Sequence, residues 1–422
     1  MPRIHYPRLA RQRDTSTVDR PVSFMGFLIA VYFLFAPLED VLSISGNTFA
    51  KYFGALICLF AIYPILTATR RVPQIDAVVA AVTYLAALSL ASVTWAPDVS
   101  AAHTAATTHV LLIGLFVVVY WIDLSGADVR LIELFAIVGG LASAVYMLAS
   151  GELASIWAQR LDLTSNSDPN NLAALLALPT ALAFHRLLTA NARSARVLYL
   201  ASFLSLVILM VGTASRGAAV GLAFFFLVYA FLSAKGGPIW RFWVQIVGLV
   251  VVIGGIALVV PAQLRERLFS ISGYTVDYSA GETGTRSVIW KHIVFDVLPH
   301  LPFYGVGAGN APNTLYQWYF YQKGVHNIYL NMCVEFGVLG IPIFLLFLGV
   351  LFFRNLQRRD FFRVAVLVLY LVIAFFLDAF IKKYFWNGLI YVSIGLGFRD
   401  DEEPEPLRHQ IGSPIDFGIA RR

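Results

Sequence analysis

The chain has 422 residues, of which 59% are hydrophobic and only 13% are charged, and its mean hydropathy is +0.73. This composition excludes an ordinary soluble domain and predicts a polytopic membrane protein whose solvent is mostly lipid. The formal net charge of +6 could suggest a nucleic-acid partner. We expect none, because the basic residues follow the pattern that membrane topology imposes.

Apolar runs predict about twelve transmembrane helices in an all-α fold, since a hydrocarbon core of about 30 Å requires roughly 20 apolar residues per helix. The runs lie at 22–38, 47–67, 76–93, 103–122, 128–150, 169–189, 196–214, 216–233, 239–260, 326–352, 361–378 and 381–398. A short run such as 216–233 or 381–398 could instead be re-entrant, which would invert the topology of everything after it.

These runs divide the chain into five parts. They are a basic cytoplasmic tail (1–21), helices 1 to 9 (22–260), a large external loop (261–325), helices 10 to 12 (326–398) and a second cytoplasmic tail (399–422). With both tails inside, every cytoplasmic segment is basic, as the positive-inside rule requires. The charge distribution therefore supports twelve spans and places the large loop outside.

Basic residues on the external side need another explanation. They are Arg216, Arg265, Arg267, Arg286, Lys291, Lys323, Lys382 and Lys383. A cationic cluster that faces a bilayer favours an anionic ligand, and lipid phosphate or diphosphate is the anion available there. Anchoring by snorkelling side chains is the alternative for any single lysine. It explains Arg216 less well, because this residue stands in a gap between two apolar runs.

The large loop contains a second recognisable pattern. From Thr285, Ile289, Ile293 and Val297 recur at helical spacing, which predicts an amphipathic helix at the membrane surface, ended by Pro299 and Pro302. Arg286 would lie in the first turn of this helix. Amphipathic helices are therefore expected in the loop, close to the external cationic cluster.

The run GVGAGN at 305–310 follows. No GK[ST] comes after it, so we do not predict a nucleotide site, and glycines such as Gly307 are expected to let backbone approach a ligand or another helix. His326 and Asn327 then open a long apolar helix. Because histidine is the usual general base near neutral pH, His326 is a candidate for that role. The helix start at Asp168–Asn170 also faces outward.

Five segments, in this order and spacing, resemble the bacterial O-antigen ligase and polymerase superfamily of membrane glycosyltransferases. They are DPNNLAALLALP at 168–179, GTASRGA at 212–218, GTRSVIW at 284–290, PFYGVGAGN at 302–310 and HNIYLNMCVEFGVLG at 326–340. The resemblance implies a lipid-dependent, type C-like transferase without metal or cofactor. It would move a glycan from undecaprenyl diphosphate to an acceptor at the periplasmic face of the inner membrane.

The resemblance also implies roles for three residues that the charge pattern and the helix entrance had already singled out. Arg216 and Arg286 would hold the diphosphate, and His326 would take the acceptor proton or orient the acceptor. These three are the expected catalytic residues. The expected substrate-binding residues are Arg265, Trp290, Lys291, Asn327, Gly307 and Asn170.

The sequence favours a ligase that uses a lipid A-core sugar hydroxyl as acceptor. Polymerases of this superfamily often carry RX10G patterns, whereas here Val297 lies eleven places after Arg286 and Val276 eleven places after Arg265. An O-antigen or exopolysaccharide polymerase and a protein O-oligosaccharyltransferase stay open. A transporter of lipid-linked glycan is disfavoured, because transporters place their charges near the bilayer midplane.

Overall fold

The computed structural model describes residues 20–39, 41–44, 47–66, 75–150, 168–234, 243, 246, 286–319 and 324–397. These ranges contain α1 (Phe24–Phe35), α2 (Phe49–Leu66), α3 (Ala77–Ala91), α4 (Val99–Tyr120), α5 (Gly126–Ala149), α6 (Pro169–Thr189), α7 (Arg193–Gly212), α8 (Arg216–Ala234), α9 (Arg286–His292), α10 (Ala311–Tyr319), α11 (Ile328–Gln357), α12 (Phe361–Phe375) and α13 (Lys383–Ser393). A two-residue antiparallel ladder, β1 (Ser43–Ile44) with β2 (Asn47–Thr48), departs from the predicted all-α fold.

Eight of these helices, α2 to α8 and α11, are long and apolar enough to cross a membrane. The protein is therefore a polytopic membrane protein, as predicted. The apolar helices α1 and α12 are shorter. The predicted ninth span, 239–260, falls outside the described residues except for 243 and 246, so the count of twelve stays a prediction, as does the extent of the large loop.

Helix starts coincide with side chains that accept hydrogen bonds from the first backbone N–H groups. Such caps stabilise a helix end in water and more so near lipid, where unpaired backbone groups are costly. They are Ser23 for α1, Asp76 for α3, Asp98 for α4, Ser125 for α5, Asp168 for α6, Asn327 for α11 and Asp360 for α12. Local sequence therefore fixes where most of these helices begin.

Polar contacts sort the loops into two ends of the bundle. At one end, the site end, the Nζ atom of Lys383 lies 2.8 Å from Oε2 of Glu39 and 2.6 Å from Oγ1 of Thr48. At the other, the basic end, Arg354 donates to the carboxylate of Asp76 and to the Tyr120 hydroxyl, 2.6 Å away. Each group joins loops that the predicted topology places on the same side.

The short helix α13 connects these two ends. It begins at Lys383 of the site end, and the carbonyl of Ile394 just after it accepts a hydrogen bond from Arg363 at the basic end. Its 11 residues rise only about 16 Å, roughly half of the hydrocarbon core. All residues from 384 to 393 are buried in protein, so this helix does not need to match the bilayer. The crossing of the membrane by the run 381–398 stays a prediction.

Helices α8 and α12 pack closely through two glycines spaced four residues apart. A Cβ atom on Gly217 would lie 2.7 Å from Cβ of Phe376, and one on Gly221 would lie 2.9 Å from Cγ1 of Ile373. Small residues at this spacing let helix backbones approach within a membrane. The packing holds the first turn of α8, and with it Arg216, against the end of α12.

Helix α11 is broken at Gly337, whose φ of 53° and ψ of −143° are not helical. The loop before α10 pairs with the break: Val338 N–H donates to the carbonyl of Phe303 at 2.9 Å, and Gly307 N–H donates to the carbonyl of Glu335 at 2.8 Å. In an intact helix these backbone groups of α11 would form hydrogen bonds within the helix. Because of the break, they bond to the loop instead.

Replacing Gly337 by alanine is expected to lower the stability of the protein by about 3 kcal/mol, because the left-handed φ and a steric clash act together. The added Cβ would lie 2.0 Å from the carbonyl oxygen of Phe303. The measurement is the Tm of the purified protein in detergent. Gly349→Ala is the matched control, since a Cβ there meets nothing within 4 Å. Equal Tm values for the two variants would contradict the prediction.

Candidate active site

The turn that follows α12, residues 376–378, contacts three segments in which the sequence predicts site residues. The carbonyl of Phe376 accepts a hydrogen bond from Nη1 of Arg286 at 2.9 Å. The side chain of the same phenylalanine packs on Gly217, which follows Arg216. Asp378 faces His326. The 376–378 turn therefore brings the starts of α8, α9 and α11 together at the site end.

The two arginines are the first residues of α8 and α9. Arg216 is exposed, and Arg286 is half-buried. Phe376 contacts both Arg286 and Gly217, the neighbour of Arg216, so the first turns of α8 and α9 lie at the same part of the site end. Guanidinium groups bind phosphate oxygens through paired N–H donors, so this arrangement suits a phosphorylated ligand.

His326 stands in the turn before α11 with a φ of 53°, in the left-handed region that few non-glycine residues adopt. Its Nδ1 atom lies 3.9 Å from Oδ2 of Asp378, which is an ion-pair distance longer than a hydrogen bond. The Asp378 carboxylate also accepts from the backbone N–H groups of His326 and, at 3.3 Å, of Asn327. The Asp378 carboxylate therefore fixes the backbone of the His326 turn and also places a negative charge near the imidazole.

Burial raises the pKa of the Asp378 carboxyl above its ordinary value, and His326 and Lys382 oppose this rise by favouring the charged form. Asp378 is not among the predicted site residues, because only the cations near it, Lys382 and Lys383, stand out in the charge pattern. The available signal was an acidic residue in the run FFLDAF between two apolar segments, where an ionisable side chain needs a partner.

Trp290 attaches α9 to the residue that precedes His326. Its Nε1 atom donates to the carbonyl of Val325 at 2.9 Å, and its ring centroid lies 5.2 Å from that of Phe375. Lys291, the next residue, is exposed. Trp290 therefore packs against protein beside the site. Its contact with substrate stays a prediction.

The predicted amphipathic helix exists, and its helical structure ends at His300, between Pro299 and Pro302. Its last turns are a π-helix (Ile293–Val297) and a 3-10 helix (Leu298–His300). Its buried residues pack on the following loop and on α10 in a small separate core. The apolar face expected at the membrane surface is thus largely used for contacts within the protein.

Three other expected binding residues have structural partners. The Asn327 side chain accepts from the N–H of Tyr329 at 3.0 Å and so caps α11. The Asn170 amide donates to Oδ1 of Asp168 at 2.9 Å. A Cβ on Gly307 would lie 2.9 Å from that of Ala96, so here the backbone passes close to another part of the bundle. The roles of these three in substrate binding stay predictions. Arg265 lies outside the described residues.

Buried polar side chains anchor the loop that carries Gly307. Oδ1 of Asn310 accepts from the N–H of Asp98 at 2.8 Å. The carboxyl group of Glu335 accepts from the N–H groups of Gly309 and Ala311, at the start of α10. These contacts attach the loop to the start of α4 and to α11. Among the residues that the structure describes, no three His, Cys, Asp or Glu side chains are placed to hold a metal ion.

A comparison with protein-family models gives a match to part of the chain. Residues 200–345 match the model of the O-antigen ligase family, and this range includes Arg216, Arg286 and His326. The match confirms the resemblance to the O-antigen ligase and polymerase superfamily and indicates glycosyltransferase-type activity on lipid-linked glycans. The search of curated proteins found no match.

Proposed function

On the premise that residues 200–345 are those of the O-antigen ligase and polymerase superfamily, we propose that this protein is an O-antigen ligase. It transfers O-antigen glycan from undecaprenyl diphosphate to a sugar hydroxyl of lipid A-core, at the periplasmic face of the bacterial inner membrane. The observation that carries the proposal is the 376–378 turn, which contacts Arg286, Gly217 next to Arg216, and the turn of His326.

The donor already contains the activated bond, so the reaction needs no ATP in the periplasm. Arg216 and Arg286 hold the diphosphate and stabilise the negative charge that grows on its oxygen as the bond to the anomeric carbon breaks. The acceptor hydroxyl forms the new bond from the opposite side of the sugar ring. A single displacement of this kind inverts the anomeric configuration.

His326 takes the proton of the acceptor hydroxyl during this attack. The resulting imidazolium is stabilised by the Asp378 carboxylate, whose Oδ2 lies 3.9 Å from Nδ1. A carboxylate that balances the charge of a catalytic histidine is a recurring arrangement in general-base catalysis. Asp378 is thus a positioning residue, because it acts on substrate only through His326.

A polymerase is the second candidate. It would use the same donor and the same three residues, and only the acceptor would differ, being another lipid-linked glycan. The missing RX10G pattern, with Val297 eleven places after Arg286, favours the ligase. A protein O-oligosaccharyltransferase differs in the same way, by its acceptor alone.

Deletion of the gene, followed by gel electrophoresis of lipopolysaccharide, is expected to remove the whole O-antigen ladder while lipid-linked polymer accumulates. The ladder disappears because no polymer reaches lipid A-core, whereas polymer synthesis continues. Core carrying a single repeat would instead indicate a polymerase. An unchanged gel would contradict both and point to an exopolysaccharide or protein acceptor. Complementation with the wild-type gene is the control.

A further inference from the structure

One face of α8 is an exposed apolar stripe that leads to Arg216. Val220, Phe224, Leu227 and Phe231 follow Arg216 at helical spacing, and between 39% and 58% of each side chain is exposed. Residues at this spacing share one face of a helix. The stripe is therefore an apolar surface that lipid can contact, and Arg216, also exposed, stands at its site end.

Arg286 is also linked to a lipid-exposed surface. Trp290 follows it by one helical turn and packs on the ring of Phe375, which is 44% exposed at the end of α12. Gly217 binds α8 to this same end of α12 through Phe376. Each arginine is therefore placed next to apolar surface that the bilayer can reach, rather than deep inside the bundle.

We propose that the polyprenyl chain of the donor lies along the outside of α8, on Val220 and Phe224, while its diphosphate is held by Arg216 and Arg286. Two cationic side chains at the end of an apolar stripe match a lipid with an anionic headgroup and a long tail. The opposite face of α8 has no room for such a tail, because Gly217 and Gly221 are in contact with α12. The identity of the donor rests on the function proposed above.

This arrangement explains how a long lipid reaches the site. Both the tail and the stripe are apolar, so a chain that stays in the bilayer exchanges one apolar contact for another and requires no opening of the helix bundle. Most of the specificity then comes from binding of the diphosphate. Contact with the stripe contributes a smaller part of the binding free energy, which grows with the length of the polyprenyl chain.

Kinetics with donors of two chain lengths test the proposal. Phe224→Ala is expected to raise KM for the undecaprenyl diphosphate donor by roughly fivefold, since part of an apolar contact is lost. The rise should be smaller for the same glycan on geranyl diphosphate, whose chain is too short to cover the ring. Phe353→Ala is the matched control, because Phe353 is 61% exposed on α11 near the basic end. Equal KM ratios for the two donors would overturn the proposal.

Crosslinking tests the same site without turnover. A photoreactive benzoylphenylalanine at position 220 is expected to label glycan-free undecaprenyl diphosphate at least about fivefold more than the same group at position 353. Equal labelling at the two positions, or equally strong labelling of phosphatidylglycerol at position 220, would show ordinary lipid contact and overturn the proposal.

The two proposals fail in different ways. If the wild-type protein transfers no glycan but undecaprenyl diphosphate still labels position 220, the ligase function is wrong and the tail site stands. If transfer is normal but labelling and chain-length dependence are both missing, the tail site alone is wrong.

Discussion

Arg286→Lys is expected to lower kcat for glycan transfer by at least about 100-fold, the usual loss when one donor to a developing oxyanion is removed. Lysine keeps the positive charge but cannot bind phosphate oxygens through two parallel N–H groups. It also loses the planar donor that Arg286 presents to the carbonyl of Phe376 at 2.9 Å. The measurement is transfer of labelled glycan by purified enzyme at saturating donor.

Arg196→Lys is a matched control for this variant. Arg196 is also in the first turn of a helix, α7, and donates to a backbone carbonyl, that of Ala190 at 2.7 Å, but it lies away from the 376–378 turn. We expect no change in its kcat. If Arg286→Lys retains more than about a third of wild-type kcat, stabilisation of the leaving diphosphate by this guanidinium is wrong.

Asp378→Asn is expected to lower kcat by about 10- to 100-fold and to move the acid limb of the pH profile to lower pH. As pH falls in the wild-type protein, the Asp378 carboxylate is neutralised above the range of an ordinary aspartate, because burial raises its pKa. The asparagine of the variant does not titrate, so this cause of the acid limb is absent. It also lacks the counter-charge of the His326 imidazolium, so the neutral base persists to lower pH. Both effects shift the limb in the same direction.

His326→Asn removes the base itself and so distinguishes that loss from the loss of the Asp378 carboxylate. Asparagine tolerates the left-handed φ of 53° that His326 adopts, so the turn is preserved while the imidazole is removed. We expect kcat to fall by about 100-fold or more, with no acid limb left in the accessible range. A pH profile of Asp378→Asn identical to that of the wild type would show that Asp378 acts only on the fold.

The sequence by itself determined the class of the protein and the start of most described helices. An apolar run of bilayer length is a local property, and so is a cap such as Asp168 or Asp360. The positive-inside rule added the prediction that Arg216, Arg286 and His326 lie on the external side, because that rule needs only the order of spans and charges. These predictions required no knowledge of which helices touch.

Tertiary structure decided what depends on contacts between distant segments. Asp378 acquires its significance only because α12 ends beside His326, some 50 residues away in the sequence. Gly307 contacts Ala96, and the Asn327 side chain caps α11. The sequence alone could not distinguish these structural roles from contact with a ligand. The length of α13 was overestimated, since an apolar run does not reveal whether lipid or protein surrounds a helix.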